Sequence, residues 1–291
     1  MQDYLIRATA MNGKVRAFAV NSTATVEQLR QKHDTLPTAT AAFGRAISAG
    51  AMMGAMLKGE EKLTIQIKGD GPIGQIVVDA NAHGEVRGYV DNPQVHLPSN
   101  SFGKLDVAGA VGTTGFIHIT KDLGLKAPYN GTIPIISGEL GEDFTYYFAV
   151  SEQTPSSVAL GVLVDTDSSV KAAGGFILQV LPGLSDAEID QIQKQLEQMP
   201  PLTTFLDQGL TLEAILTRIL GDIKVMDQLE IVFRCKCSRE RVDSTLISLG
   251  RAEIEQMMDE ESQAEVICHF CNEAYNYDEQ QLKELMEHFS V

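Results

Sequence analysis

The chain has 291 residues, enough for about two domains, and 44% of them are apolar, so most of the chain can bury a core. Its formal net charge of −16 repels phosphate backbones and anionic lipid head groups, which argues against nucleic acid and membrane partners. The N-terminal stretch has scattered charges and lacks the continuous apolar run of a secretory signal. We therefore expect a cytosolic protein.

The first part of the chain has the pattern of short strands joined by turns. Runs rich in β-branched residues alternate with turn segments such as "GDGPIG" and "NAHG", which predicts consecutive hairpins. Although "GDGPIG" matches a dinucleotide fingerprint, a β-branched run follows it instead of a helix, so we interpret it as a turn. The strands are predicted at residues 62–68, 75–80, 85–90, 144–153, 158–165 and 172–181.

One apolar run, residues 46–57, predicts a buried helix. It is too short to cross about 30 Å of hydrocarbon, and its small residues allow close approach of neighbouring elements. Together with the strands it predicts an α+β fold for residues 1–181, with a mixed, mainly antiparallel sheet and packed helices.

Residues 182–228 have the pattern of an amphipathic helical linker. Ser185 and Glu188 form a predicted capping box at the start of one helix, and a second helix begins near Thr211. The apolar residues of the two helices fall at helical spacing and form a stripe along one face. This stripe either packs permanently on the first domain or belongs to a connector whose apolar face can be covered and exposed. The linker stripe consists of Ile189, Ile192, Leu196, Leu212, Ile215, Leu216 and Ile219.

Residues 229–291 are predicted to form a small acidic module. Within it, residues 231–291 carry six Lys and Arg against thirteen Asp and Glu, a net charge of −7. A segment of this size is near the lower limit for folding on an apolar core alone, so a metal, disulfides or a partner is expected to contribute.

The four cysteines of the chain all lie in this module. Cys235 and Cys237 form a C-x-C pair, and Cys268 and Cys271 form a C-x-x-C pair 30 residues later. Four thiolates in a tetrahedron bind structural zinc, so the pattern predicts one Zn²⁺ per chain. His269 is expected to be a bystander, because four sulfurs already complete the coordination shell.

Basic residues surround the C-x-C pair. We expect these cations to stabilise the anionic site and to favour thiolate over thiol. They are Arg234, Lys236, Arg239 and Arg241. The ligands would remain open to oxidants, and losing the metal would remove folding free energy from the module.

The cysteine pattern, together with "GRAISAGAMMGAMLKG", "GDGPIGQIVVDANAHGEVRGYV" and "SEQTPSSVALGVLV", resembles the heat shock protein 33 (33 kDa chaperonin) family along essentially the whole chain. The resemblance implies a bacterial, cytoplasmic, ATP-independent holdase that is active under oxidative stress and is not an enzyme. It implies that the reduced, zinc-bound form is inactive. Oxidation would pair Cys235 with Cys237 and Cys268 with Cys271, release zinc and unfold the linker and the module.

The resemblance also implies unfolding client proteins as partners and a homodimer in the oxidised form. We take the linker stripe as the candidate client-binding surface.

Two alternatives stay open. A zinc-ribbon binding module for nucleic acid or protein is opposed by the acidic charge, and a thiol oxidoreductase is opposed by the turn and strand predicted after Cys271.

Overall fold

A computed structural model describes residues 2–261 and 263–288. Contacts divide the chain into two compact units, Met1–Arg234 and Cys235–Val291. The described residues form thirteen strands: β1 (Tyr4–Ala10), β2 (Val15–Asn21), β3 (Lys62–Gly69), β4 (Gln75–Asn81), β5 (Glu85–Val90), β6 (Gly115–Asp122), β7 (Tyr129–Pro134), β8 (Ser156–Val164), β9 (Val170–Val180), β10 (Ile223–Glu230), β11 (Val232–Phe233), β12 (Gln263–Ile267) and β13 (Ala274–Asp278).

Helices account for most of the remaining described residues. None of them is both long and apolar enough to cross a membrane. The ten α-helices of the described residues are α1 (Thr23–His33), α2 (Pro37–Gly54), α3 (Val107–Val111), α4 (Leu140–Val150), α5 (Asp186–Gln198), α6 (Leu202–Asp207), α7 (Leu212–Leu220), α8 (Arg239–Leu249), α9 (Arg251–Glu261) and α10 (Glu279–Glu287).

The first unit contains two sheets. The five-stranded sheet has the order β10-β1-β2-β9-β8, and the six-stranded sheet has the order β11-β5-β4-β3-β6-β7. Neighbouring strands run antiparallel except β11 and β5, which are parallel. The predicted α+β class with mainly antiparallel pairing is confirmed, although the strands divide between two sheets instead of one.

The predicted hairpins are present. β3 pairs with β4 and β4 pairs with β5, each antiparallel, and β8 pairs with β9. The "GDGPIG" segment lies in the turn between β3 and β4, as the β-branched run after it predicted.

Helix α2 packs between the two sheets and contacts strands of both. The predicted helix at residues 46–57 therefore exists, but it begins earlier, at Pro37, and ends at Gly54. Its glycines permit the close approach: a Cβ on Gly44 would come within 2.8 Å of Val162 on β8, and one on Gly50 within 2.6 Å of Val78 on β4. The larger apolar core lies around this helix.

The prediction of a strand at residues 144–153 is wrong, because most of this segment belongs to helix α4. Its aromatic residues favoured a strand by composition. The buried residues instead follow helical spacing. They lie four, seven and eight positions after the buried Leu140, at Phe144, Tyr147 and Phe148. Burial of that face against the core determined the structure.

Helices α5 to α7 cover the other face of the five-stranded sheet. The predicted capping box is confirmed, since the Ser185 side chain accepts from the Glu188 amide and Glu188 accepts from the Ser185 amide. A second core of the first unit lies beneath these helices and includes Ile6, Phe176 and Leu178 from the sheet. The strands β1, β2 and β9 of the five-stranded sheet are thus buried on both faces, whereas β10 at its edge is mostly exposed.

Two strands follow the linker helices. β10 pairs with β1 at the edge of the five-stranded sheet, and β11 adds to β5 of the other sheet. Residues 223–228 of the predicted linker therefore lie within a sheet strand. The division into residues 1–181, 182–228 and 229–291 stays a prediction.

Candidate metal centre

The C-x-x-C pair lies in the turn of the β12–β13 hairpin of the second unit. The Cys268 amide donates to the Glu273 carbonyl at 3.0 Å, which closes the hairpin. The amides of Cys271 and Asn272 both donate to the Cys268 carbonyl, at 3.3 and 2.8 Å. Asn272 has a φ of 55°, a left-handed conformation that asparagine tolerates better than most residues. The turn holds both thiols on the same short loop.

The C-x-C pair directly precedes helix α8. Ser238 caps this helix by accepting a hydrogen bond from the Arg241 amide, which fixes where the helix begins. The Arg241 guanidinium donates to the Lys236 carbonyl, between the two cysteines, at 2.8 Å. Both contacts restrain the backbone that carries Cys235 and Cys237.

The four sulfurs converge. Cys235 Sγ lies 3.7 Å from Cys268 Sγ, and Cys237 Sγ lies 3.3 Å from Cys271 Sγ. All four sulfurs lie within 4.8 Å of one another. Four sulfurs at about 2.3 Å from a tetrahedral ion would be about 3.8 Å apart, so the donor set fits a single ion of this kind. Three of the cysteines are half-buried and Cys271 is buried.

The thiols differ in their tendency to ionise. Burial disfavours the Cys237 thiolate, but a hydrogen bond from the Tyr275 hydroxyl and contacts with the other sulfurs outweigh it and lower the Cys237 pKa. Burial raises the pKa of Cys271 and of Cys268. The hydrogen bond to Cys237 raises the pKa of Tyr275 in turn. A bound cation would favour the thiolate at every position.

Tyr275 was not identified from the sequence as part of this site. A signal was present, because Tyr275 and Tyr277 are two residues apart on β13 and therefore share one face of the hairpin. Only the folded hairpin brings the Tyr275 hydroxyl to Cys237.

The predicted basic residues have specific partners. The Arg239 guanidinium lies 3.7 Å from the centre of the Tyr277 ring, donates to the Asn276 carbonyl and pairs with Asp243 at 3.6 Å. Arg234 belongs to the first unit, where it pairs with Glu85 at 3.3 Å. The stabilisation of thiolate by these cations stays a prediction.

The core of the second unit is small. Its buried members come from α8, α9, α10 and β13, and they are Val242, Leu246, Ile254, Tyr277, Leu282 and Leu285. So small a core provides limited apolar stabilisation, which agrees with the expectation that a metal contributes to the folding of this unit.

The candidate client-binding residues lie in the first unit. Ile189 and Leu196 are half-buried, and Leu196 packs against the core under α5 to α7. The other members of the linker stripe are buried in that core: Ile192, Leu212, Ile215, Leu216 and Ile219. In this structure the stripe is therefore covered, and client binding by these residues stays a prediction.

Comparison with known proteins decides the family. The family model described as Hsp33 protein matches residues 3–278. This chain belongs to the Hsp33 family. A 33 kDa chaperonin of Bacillus cytotoxicus is 55% identical over 289 residues, covering 99% of both chains, and one of Bacillus cereus is 54% identical with the same coverage.

A solved structure agrees with the fold. The crystal structure of the 33 kDa chaperonin (heat shock protein 33 homolog) from Thermotoga maritima matches with a TM-score of 0.93 and 37% identity, and the match covers 100% of this chain and 99% of that one. Membership of the Hsp33 family supports a chaperone that binds client proteins, and proteins named chaperonins are generally not enzymes.

Proposed function

We propose that this protein is a redox-regulated, ATP-independent holdase that binds unfolding proteins under oxidative stress. The convergence of four cysteine sulfurs in a separate small unit of an Hsp33-family chain carries the proposal. The protein would act in the bacterial cytoplasm, where a reducing environment keeps the thiols available as metal ligands.

In the reduced state Cys235, Cys237, Cys268 and Cys271 would together hold one Zn²⁺. The ion would supply folding free energy, about 10 to 16 kcal/mol in small zinc peptides. Zinc fits better than magnesium or calcium, because thiolate donors favour soft metal ions.

Oxidation would begin at the most nucleophilic sulfur. One thiolate attacks a peroxide oxygen, the O–O bond breaks, and a sulfenic acid and hydroxide form; the hydroxide takes up a proton from solvent and becomes water. A second thiolate then displaces hydroxide, which leaves as water after protonation, and a disulfide forms. Each disulfide removes two ligands. The pairing Cys235 with Cys237 and Cys268 with Cys271 follows the family resemblance. Sulfur contacts of 3.7 and 3.3 Å also join Cys235 to Cys268 and Cys237 to Cys271 in the structure.

Loss of all four ligands would unfold the second unit, and the linker helices α5 to α7 would then detach from the five-stranded sheet. The apolar residues now buried beneath them would become available to clients, and dimers would form. No bond of the client is made or broken, so the proposed activity is binding and not catalysis.

Light scattering from a thermally unfolding client tests this proposal. The zinc-loaded, reduced protein is compared with peroxide-treated protein while released zinc is measured. We expect only the oxidised form to suppress scattering, with about one zinc released per chain. Equal suppression by both forms, or zinc that stays bound, would contradict the switch. Equal proteolysis rates of residues 185–222 in both forms would contradict its coupling to the linker.

A further inference from the structure

Strand β8 forms an edge of the five-stranded sheet. It pairs with β9 on one side, and no strand of the described residues pairs with its other side. The Val158 amide donates to the Thr145 hydroxyl of α4 at 3.1 Å, so this amide points away from β9. Since amide directions alternate along a strand, the amides of Leu160 and Val162 point the same way. The outer edge from Leu160 onward carries backbone groups in the spacing that another strand requires.

Helix α4 covers the first part of this edge, since a Cβ on Gly141 would lie 3.1 Å from the Val158 carbonyl. Beyond Val158 the strand lacks the sequence features that usually prevent pairing. Natural edge strands commonly carry charged residues, proline or a central bulge, because their backbone groups otherwise recruit other strands. The sequence of β8, "SSVALGVLV", has no charged residue and no proline, and its irregularity in register falls at the end, between Leu163 and Val164. The part of this edge beyond Val158, from Leu160 to Val164, consists of five apolar and small residues and is about 17 Å long.

A groove runs along the same edge. Its cavity volume is about 1270 Å³, and it is bounded by β8, the start of α2, the loop around Phe102, the start of α4, and Met199 to Thr204 of the linker. Phe102 is 84% exposed, which is high for a large apolar side chain. The groove offers apolar contacts beside a strand edge.

The charges of the groove do not select an ionic ligand. Arg45 pairs with Glu139 at 2.5 Å, which neutralises both. The remaining lining residues of formal charge are Lys104, Glu142 and Asp165, and they sum to −1. A groove with little net charge, apolar walls and a strand edge is complementary to an extended, apolar polypeptide segment.

We propose that the β8 edge binds an extended, apolar segment of an unfolded client by strand addition, over Leu160 to Val164. This inference rests on the proposed holdase function and names a site for it apart from the linker stripe. Main-chain hydrogen bonds would provide affinity for many sequences, because every client has the same backbone. The apolar walls would favour segments with β-branched and aromatic side chains.

The linker affects access to this site. A Cβ on Gly161 would lie 2.7 Å from Thr203, so α6 packs closely against β8 on one face of the sheet. Detachment of α5 to α7 would uncover that face and widen the groove. We therefore expect tighter binding in the oxidised form.

The test uses the oxidised full-length protein and a peptide of about nine residues, the length of β8, in which valine and threonine alternate between terminal lysines. A matched peptide carries N-methyl groups on its two adjacent central residues, which blocks both of its edges while keeping its side chains. We expect the first peptide to slow amide hydrogen exchange at Leu160 and Val162 by about tenfold or more. The methylated peptide should leave both rates unchanged.

A substitution supplies a second measurement. Val162→Pro removes one outward amide without removing a bond to β9, and Val162→Thr keeps that amide and the side-chain shape. We expect Val162→Pro to weaken peptide binding about tenfold, as expected for one lost hydrogen bond, and Val162→Thr to change it less. Thermal unfolding of both variants establishes that they fold, and the peptide experiment needs no variant.

Three results would overturn the inference: equal binding of both peptides, slowed exchange confined to the linker, or slowing at Leu160 and Val162 that depends only on protein concentration. The last would identify a second copy of this chain as the occupant. In each case suppression of client scattering by the oxidised protein would show that the holdase function stands without this site. Absence of suppression would instead count against the proposed function.

Discussion

At the scale of single residues, Cys237 differs from Cys268 and Cys271 in the direction of its pKa shift. Its pKa is lowered although burial opposes ionisation, because the Tyr275 hydroxyl and the adjacent sulfurs donate to it. Burial raises the pKa values of Cys268 and Cys271, and contacts with neighbouring sulfurs, Cys235 for Cys268 and Cys237 among others for Cys271, raise them further. The site therefore requires a cation to hold four thiolates together.

Ligand substitution tests this requirement. Cys271→Ser replaces a buried sulfur by a weaker ligand, so we expect zinc content to fall well below one per chain and the second unit to unfold. His269→Ala is the matched control, since His269 is predicted not to bind the metal, and it should retain full zinc content. Metal analysis and circular dichroism measure both effects. Zinc loss in His269→Ala with retention in Cys271→Ser would reverse the assignment.

The stability of the first unit should depend on pH through the buried carboxyl group of Asp143. Its side chain is fully buried, Oδ1 accepts from the amides of Ile136 and Ser137 at 2.8 and 3.0 Å, and Oδ2 has no hydrogen-bond partner among the described residues. Burial raises its pKa above 3.8, and the hydrogen bonds from these amides only partly oppose that shift. The folded state therefore holds this proton more tightly than the unfolded chain does.

The direction of the pH dependence of stability follows from that difference in proton affinity. The contribution of Asp143 to stability is full below its unfolded pKa and is lost as pH rises through its folded pKa. Urea unfolding at several values from about pH 4 to 7 should show wild type losing stability relative to Asp143→Asn as pH rises. Asp190→Asn, an exposed site with the same loss of charge, should show no such trend. A constant difference between wild type and Asp143→Asn would contradict the prediction.

At the scale of elements, the linker helices are held by a small number of buried side chains. Thr211 caps helix α7, since its hydroxyl accepts from the Ala214 amide, and the helix buries Ile215 and Leu216 completely against the five-stranded sheet. α5 is covered less, since Ile192 is its one buried residue. The attachment of the linker therefore depends mainly on α7.

Truncating one of these side chains should loosen the linker without oxidation. Ile215→Ala is expected to cost about 2 to 5 kcal/mol, because it leaves a cavity in the packed core. The reduced variant should then be cut faster within residues 185–222 and should suppress client aggregation in part. Thr217→Ala, on the exposed face of the same helix, should behave as wild type. If Ile215→Ala were as resistant to protease as wild type, the stripe would not hold the linker.

At the scale of the whole molecule, stability is divided between two units with separate cores. The first unit has two apolar cores on the two faces of the five-stranded sheet. Among the described residues of the second unit, the apolar core has six buried members, and the four-cysteine cluster lies in the same unit. Unfolding of one unit need not unfold the other, which is the condition for a switch that spares the remainder of the molecule.

Metal removal should unfold the second unit and leave the first unit folded. Treating the reduced protein with a zinc chelator is expected to abolish hydrogen-exchange protection in residues 235–288 and to leave β2, β3 and β9 protected. Readdition of zinc should restore the lost protection, which excludes irreversible damage. Loss of protection throughout both units on chelation would show a single cooperative fold and contradict the division.

Much of the fold was predictable because its signals are local. The β3–β4–β5 hairpins follow from alternating β-branched residues and glycine turns, and the start of α5 follows from the Ser185 capping box. The two cysteine pairs were predictable for the same reason, since the members of each pair are close in the chain. The meeting of the two pairs is not local, because it joins residues 33 and 34 positions apart.

Other features depend on burial and on distant partners. The segment of α4 has strand-like composition, and packing of its helical face against the core determined its structure. The short strand β11 exists because β5 is adjacent to it, and Tyr275 reaches Cys237 only through the folded hairpin. The sequence by itself determined the hairpins, the amphipathic helices and the two cysteine pairs, because each is encoded in local spacing. Only the tertiary structure decided which faces are covered, how the two cysteine pairs meet and which edge stays unpaired, because those properties arise from contacts between residues far apart in the chain.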